Sequence, residues 1–143
     1  MILLKKDFFL LIFVSFLFFD NVLALCENSY SCILMDSYSG RVLYEKNSKE
    51  KKLIASTTKL MTFLVAYENM DLDIEIDVGE EVLKMYGTSI YLSVGEKMSL
   101  RDLLYGLILR SGNDSSMVIA TYFGYDEFIS LMNKKAKDLG MKD

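Results

Sequence analysis

Between residues 30 and 46 two short apolar-rich runs flank a polar turn. Tyr30 to Asp36 is the first, Ser37-Tyr38-Ser39-Gly40 carries turn-forming residues, and Arg41 to Lys46 is a second short β-type run. Two short β-type runs bracketing a cluster of turn residues predict a β-hairpin. Asn47 to Lys52 is charged and loop-like. The spacing then becomes helical: Leu60, Met61, Leu64, Val65 and Met70 mark a buried helix opening near Ser56. Leu72, Ile74, Ile76 and Val78 alternate with acidic residues and predict an extended segment with one wet face. Ser99 with Asp102 caps a helix through Leu103, Leu104, Leu107 and Ile108 to Arg110. Ser111-Gly112-Asn113 interrupts it, with Gly112 as the expected stop. One helix is predicted from about Asp114 to Phe123 and another from Asp126 to Leu139, ended by Gly140. Hairpin, buried helix and a mainly helical block make an α+β chain without internal repeats.

The first 24 residues follow another pattern. Lys5 and Lys6 precede an apolar run from Phe8 to Phe19, followed by Val22-Leu23-Ala24. This is the layout of a secretory signal peptide, too short to span a bilayer, with cleavage expected near Ala24. Residues 1–24 are therefore expected to direct export, leaving the rest of the chain on the extracellular or cell-envelope side. Leu25 argues against lipid attachment at Cys26, because that processing site normally needs a small residue there. Cys26 falls at a frayed new terminus and Cys32 in a strand, so the two are expected as free thiols.

Composition narrows the chemistry. With 143 residues and 52% hydrophobic side chains the chain can bury a core. A net charge of −4 without a basic stripe argues against a nucleic-acid partner. Histidine is absent, which removes Ser-His-Asp triads, Cys-His pairs and imidazole zinc sites. Any base must be Lys, Asp, Glu or Tyr, and no cofactor or metal is implied.

Ser followed three residues later by Lys occurs at Ser48/Lys51 and at Ser56/Lys59. Ser48 sits in a charged loop with nothing to desolvate a lysine, whereas Ser56 opens an apolar helix. Taken alone, Ser56 reads as a helix N-cap. Lys59 does not fit that reading, because a cation in the first turn opposes the helix dipole by about 0.3–1 kcal/mol. A lysine held there against apolar surroundings has its ammonium form disfavoured and can act as a base near neutral pH. The i, i+3 spacing would bring its amine to the Ser56 hydroxyl, and backbone N–H groups of the turn would face a developing oxyanion. Ser111-Gly112-Asn113 is the only Ser-x-Asn in the chain. A hydroxyl and an amide on one tight turn can relay a proton and hold a peptide group.

With these motifs the chain resembles the low-molecular-mass penicillin-binding proteins, the serine D-Ala-D-Ala carboxypeptidases of bacterial cell-wall maturation. The resemblance runs from about Tyr30 to Asp143. It includes Ile33-Leu34-Met35-Asp36, Gly40-Arg41-Val42-Leu43-Tyr44, Ala55-Ser56-Thr57-Thr58-Lys59-Leu60-Met61-Thr62, Ser89-Ile90-Tyr91-Leu92, Leu109-Arg110-Ser111-Gly112-Asn113-Asp114 and the stretch from Leu131 to Lys142. It implies a penicillin-binding/β-lactamase-like transpeptidase fold of the α+β (α/β sandwich) type. It also implies Ser56 as nucleophile on the bond between the two D-alanines of a peptidoglycan stem peptide and Lys59 as its base. Ser111 would pass a proton to the departing amine, and Asn113 would hold the substrate. β-Lactams would be covalent inhibitors, and longer members of the family would associate peripherally with the membrane.

Ile54 stands where the family commonly has proline. The family's Lys-Thr-Gly strand and most of its central sheet would lie beyond residue 143, so residues 25–143 are expected to be a partial catalytic domain, poorly stable and weakly active alone. Two other readings stay open: an exported, non-catalytic remnant of the family, and a class A β-lactamase-like enzyme, which shares the first motif.

Overall fold

The two runs flanking the turn of residues 37–40 form the antiparallel pair β1 (Cys32–Met35) and β2 (Val42–Lys46) in the computed structural model, which describes residues 26–141. The signal-peptide reading of residues 1–24 lies outside the described residues. These fall into two compact units, one ending at Lys52 and the other beginning at Leu53.

In the first unit Cys32 pairs with Lys46 and Leu34 with Tyr44, with an irregularity between Leu34 and Met35. The turn is tied by Asp36, whose carboxylate accepts from the Ser39 N–H at 2.7 Å, while the Gly40 N–H donates to the Asp36 carbonyl at 2.9 Å. Gly40 takes φ +69°, which favours glycine.

The expectation of free thiols is wrong: Cys26 and Cys32 form a disulfide, with Cα atoms 6.4 Å apart. Cys26 is not frayed. Its carbonyl accepts from the Ser29 N–H at 3.1 Å and from Lys46 Nζ at 3.3 Å. Further along, Asn47 Nδ2 donates to the Tyr30 carbonyl at 2.9 Å, the Tyr30 hydroxyl donates to Glu50 at 3.1 Å, and the Lys52 ammonium sits 4.1 Å from the Tyr30 ring centroid. Residues 26–31 therefore fold back onto the end of β2, which brings the two sulfurs together. A lone two-stranded hairpin is marginal, and closing so short a loop contributes about 2 kcal/mol by constraining the unfolded chain. Alkylation under non-reducing conditions is expected to label neither cysteine, and to label both after treatment with a dithiol; modification of either before reduction would exclude the bridge.

In the second unit a 3₁₀ turn over Ala55–Thr57 leads into α1 (Thr58–Asn69). This helix packs against α2 (Leu100–Leu109), α3 (Asn113–Phe123) and α4 (Tyr125–Asp138). Leu100, Leu103, Leu104 and Leu107 are all buried, as the i, i+3, i+4, i+7 spacing predicts for one face of a helix. They meet Val65 and Ala66 of α1, Val118 and Ile119 of α3 and Phe128 of α4 in one core. Each large side chain so buried contributes about 1.5–3 kcal/mol relative to exposure. The predicted extended segment narrows to β3 (Glu75–Asp77), with Ile76 and Val78 buried. It pairs antiparallel with β4 (Lys97–Ser99), a strand too short to show a period in the sequence.

Outside the turn at Ser56, the predicted helix ends hold with one exception. Ser99 Oγ accepts from the Asp102 N–H at 3.1 Å. At the far end Gly140 takes φ +77°, while Met141 N–H reaches the Ala136 carbonyl and Gly140 N–H the Lys137 carbonyl, both at 2.9 Å, a pairing that satisfies the last carbonyls of α4. The exception is Gly112, which takes φ −61°. Ser111 carries the left-handed conformation after α2, at φ +56°. Glycine is needed at 112 for space, because a Cβ there would lie 2.9 Å from Ser115 Oγ and 2.9 Å from Asp114 Oδ1.

Candidate active site

Ser56 lies in the 3₁₀ turn ahead of α1, and no side chain caps either the turn or the helix. Its hydroxyl is therefore not the N-cap that the local sequence suggests. The Thr57 N–H donates to the Ile54 carbonyl at 3.1 Å, so that donor is committed within the turn and does not face an oxyanion. Ala55, just before Ser56, adopts φ +45°, and Ser111 adopts φ +56°. Left-handed geometry at a non-glycine residue costs of order 1–3 kcal/mol and persists where the surroundings fix it. Both serines are thus presented by backbone that local preference would not choose.

Lys59 joins them. Its ammonium donates to the Ser111 carbonyl, to Ser111 Oγ at 2.9 Å and to Asn113 Oδ1 at 2.7 Å, and Ser111 Oγ in turn donates to Ser56 Oγ at 3.0 Å. The four residues singled out in the sequence, Ser56, Lys59, Ser111 and Asn113, therefore form one connected group. The connection differs from the expected one: Lys59 reaches Ser56 through Ser111. Ser56 sits in a 3₁₀ turn and Lys59 in the α-helix, so the α-helical i, i+3 register does not extend across them.

Donor counting shows what this arrangement can do. Three donated hydrogen bonds use the full capacity of an ammonium group. A neutral amine has two N–H groups and one lone pair, so on losing its proton Lys59 must turn one contact around. The Ser111 carbonyl and Asn113 Oδ1 can only accept, which leaves the Ser111 hydroxyl as the one partner able to donate. When it turns toward Lys59, its oxygen is free to accept the Ser56 proton. Deprotonation of Lys59 thus reverses the whole line and arms Ser56 as a nucleophile.

The electrostatics favour that deprotonation. Burial pushes the Lys59 pKa down, the nearby Asp114 carboxylate partly opposes this, and the result lies below the ordinary lysine range. Ser56, Lys59 and Asn113 border a cleft of about 380 Å³ whose far wall is apolar, with Phe128, Ile129 and Met132. Asp114 is only 2% exposed. Burial raises its pKa, but hydrogen bonds from Ser89, Leu92, Ile90 and Ser115 together outweigh this and hold the carboxyl below its usual range. Among the described residues no cluster of His, Cys, Asp or Glu is placed to hold a metal ion. The competing Ser48 belongs to the first unit, where its hydroxyl donates to Glu45 at 2.6 Å. Asp114 and its partner Ser89 were quoted in the family resemblance without a role, because a contact across 25 residues leaves no periodic trace.

Residues 24–143 match the family model described as D-alanyl-D-alanine carboxypeptidase. The chain is 37% identical over 126 residues to the D-alanyl-D-alanine carboxypeptidase DacF of Bacillus subtilis, a match covering 83% of this chain and 32% of that protein. It superposes on the crystal structure of the D-alanyl-D-alanine carboxypeptidase DacD from Francisella tularensis with a TM-score of 0.73 and 35% identity, covering 79% of this chain and 29% of the other. Penicillin binding protein 5 from Haemophilus influenzae gives a TM-score of 0.74 at 27% identity, over 79% of this chain and 36% of the other. The chain thus spans about a third of the length of these relatives. The described fold is that of the corresponding part of the penicillin-binding DD-peptidases, and the chain belongs to the D-alanyl-D-alanine carboxypeptidase family.

Proposed function

We propose that this chain carries the nucleophile half of a serine D-Ala-D-Ala carboxypeptidase that trims peptidoglycan stem peptides during cell-wall maturation. The observation that carries this reading is the hydrogen-bonded line from Lys59 through Ser111 to Ser56. Neutral Lys59 takes the Ser111 proton as Ser111 takes that of Ser56, and Ser56 Oγ attacks the carbonyl between the two D-alanines. As the tetrahedral intermediate collapses, the C–N bond breaks and the proton returns along the line to the departing amine of D-alanine. Water then attacks the ester on Ser56 and gives a proton to the same line; as the C–O bond breaks, that proton returns to Ser56 Oγ. Asn113, its amide already oriented by Lys59 and the Tyr86 carbonyl, holds the acyl peptide. Residues 1–24 direct the protein across the cytoplasmic membrane, where its substrate lies.

A β-lactam presents a strained amide to the same serine. Incubation of the full-length gene product with a penicillin, followed by proteolysis and mass spectrometry, is expected to place the intact drug mass on the peptide containing Ser56. A stem-peptide analogue ending in D-Ala-D-Ala is expected to release free D-alanine. An adduct on another residue, or D-alanine release undiminished in Ser56→Ala, would sink the assignment.

A further inference from the structure

We propose that Asp114 is a positioning residue: by clasping the loop of residues 86–92 it sets the side-chain amide of Asn113 and, through it, the amine of Lys59. The kinetic consequence rests on the acyl-enzyme reading above; the geometric one does not.

The loop crosses the N-terminus of α3 and meets it through polar contacts. Asp114 accepts from Ser89 Oγ at 2.5 Å, from the Ile90 N–H at 3.1 Å and from the Leu92 N–H at 3.1 Å. One residue earlier in the helix, the Asn113 N–H donates to the Thr88 carbonyl at 2.8 Å and Asn113 Nδ2 donates to the Tyr86 carbonyl at 2.5 Å. The two largest side chains of the loop do not anchor it: Tyr86 is 87% exposed and Tyr91 84%. Tyr91 is held at φ +63°, a left-handed geometry that a tyrosine does not adopt unaided.

This clasp decides which way the Asn113 amide points. An amide can be turned end for end with little change in shape, and its orientation is fixed by what it meets. Here Oδ1 receives the Lys59 ammonium at 2.7 Å and Nδ2 is taken by the Tyr86 carbonyl. Without that carbonyl in place, half of the selection is lost and Asn113 no longer holds Lys59 against Ser111. Gly87 shows how close the approach is. It takes φ +86°, and a Cβ there would lie 3.0 Å from Asn113 Nδ2.

Asp114 also acts on Lys59 through space, as the carboxylate that partly restores its proton affinity. The other groups about the amine are Ser111 and Asn113 from the junction of α2 and α3 and Ser56 from the 3₁₀ turn, with Tyr125 as the titratable side chain on the α4 wall of the cleft.

Two variants of the full-length gene product test the clasp from opposite sides. Asp114→Asn keeps the shape but replaces one acceptor oxygen with an N–H₂, which meets the Ile90 N–H donor in either orientation of the amide. Gly87→Ala leaves the buried carboxylate untouched and pushes the loop off Asn113. Hydrogen exchange of the Asn113 side-chain amide, read by NMR, is expected to quicken by about tenfold or more in both as the local contact opens. Acylation by a chromogenic β-lactam is expected to slow by about tenfold to 10²-fold in both, the scale of a displaced catalytic group. Asp114→Asn should also move the acid limb of acylation to lower pH, whereas Gly87→Ala should leave it in place, a distinction that mere loosening would not produce. Unchanged protection of the Asn113 amide in both folded variants would overturn the proposal, and if Asp114→Asn does not fold, Gly87→Ala decides alone. Loss of that protection with no acylation of the parent protein would uphold the positioning role and remove the acyl-enzyme reading instead.

Discussion

Replacing Lys59 with methionine is expected to slow acylation of Ser56 by about 10²–10⁴-fold, the contribution of a positioned general base. Methionine keeps much of the apolar stem and removes the group that can take a proton; Ser111 remains, but the line ends there with nothing to accept. Lys59→Arg should be no better, because a guanidinium stays charged at any relevant pH and has no lone pair to offer. In the unsubstituted protein the rate should rise with pH as the amine deprotonates. Because burial sets its pKa below the ordinary lysine range, that acid limb should lie below the titration of a free lysine. The same displacement has a stability consequence of defined sign. The unfolded chain holds this proton more tightly than the folded one, so protonation of Lys59 opposes folding at pH values below the folded pKa. That penalty fades as pH rises toward the ordinary lysine range. Lys59→Met removes that penalty but also takes a donor from the Ser111 carbonyl and Asn113 Oδ1, so its melting temperature is expected to change little while acylation collapses. Acylation retained within about threefold in a folded Lys59→Met would show that the amine is not the base.

The helices were legible where they bury one apolar face, and the hairpin by its turn. Leu100, Leu103, Leu104 and Leu107 announce α2 by spacing alone, Ser99 and Gly140 mark ends of α2 and α4, and the turn residues Ser37 to Gly40 between two β-type runs mark the hairpin. What stayed hidden depends on contacts between distant residues or on very short elements. β4 offers only Lys97-Met98-Ser99, and the disulfide depends on Lys46 and Asn47 folding residues 26–31 back. The site divides in the same way. Ser56, Lys59, Ser111 and Asn113 stood out by motif and by resemblance, and the structure brings all four together. The order of their connection did not stand out, because it turns on left-handed backbone at Ala55 and Ser111, which their neighbours impose and the sequence does not signal. Glycine was the natural candidate for the sharp turn after α2, yet Gly112 is required for closeness and Ser111 makes the turn. That exchange is what aims the Ser111 hydroxyl between Lys59 and Ser56.

Ser111→Ala is expected to slow acylation by about 10²-fold or more, at the scale of a lost proton-transfer group. The substitution is discriminating, because Lys59 bonds to Ser111 twice. The carbonyl contact survives in alanine, and so does the contact with Asn113, leaving the amine held by two of its three partners. What disappears is the hydroxyl that touches Ser56 at 3.0 Å. A loss of rate then reports proton transfer and not misplacement of the lysine. The two substitutions should also fail to add: if Lys59 acts on Ser56 only through Ser111, the double variant Lys59→Met with Ser111→Ala should be no slower than Lys59→Met alone within about threefold. Independent roles would instead multiply the two losses. Threonine tests the remaining link, since it keeps the hydroxyl but branches at Cβ where φ is +56°. Left-handed geometry is poorly tolerated by a branched side chain, so Ser111→Thr should recover only part of the rate, with the pH limb of the parent. Full activity in Ser111→Ala would mean that the Lys59 amine reaches Ser56 by another route and that Ser111 is not the link between them.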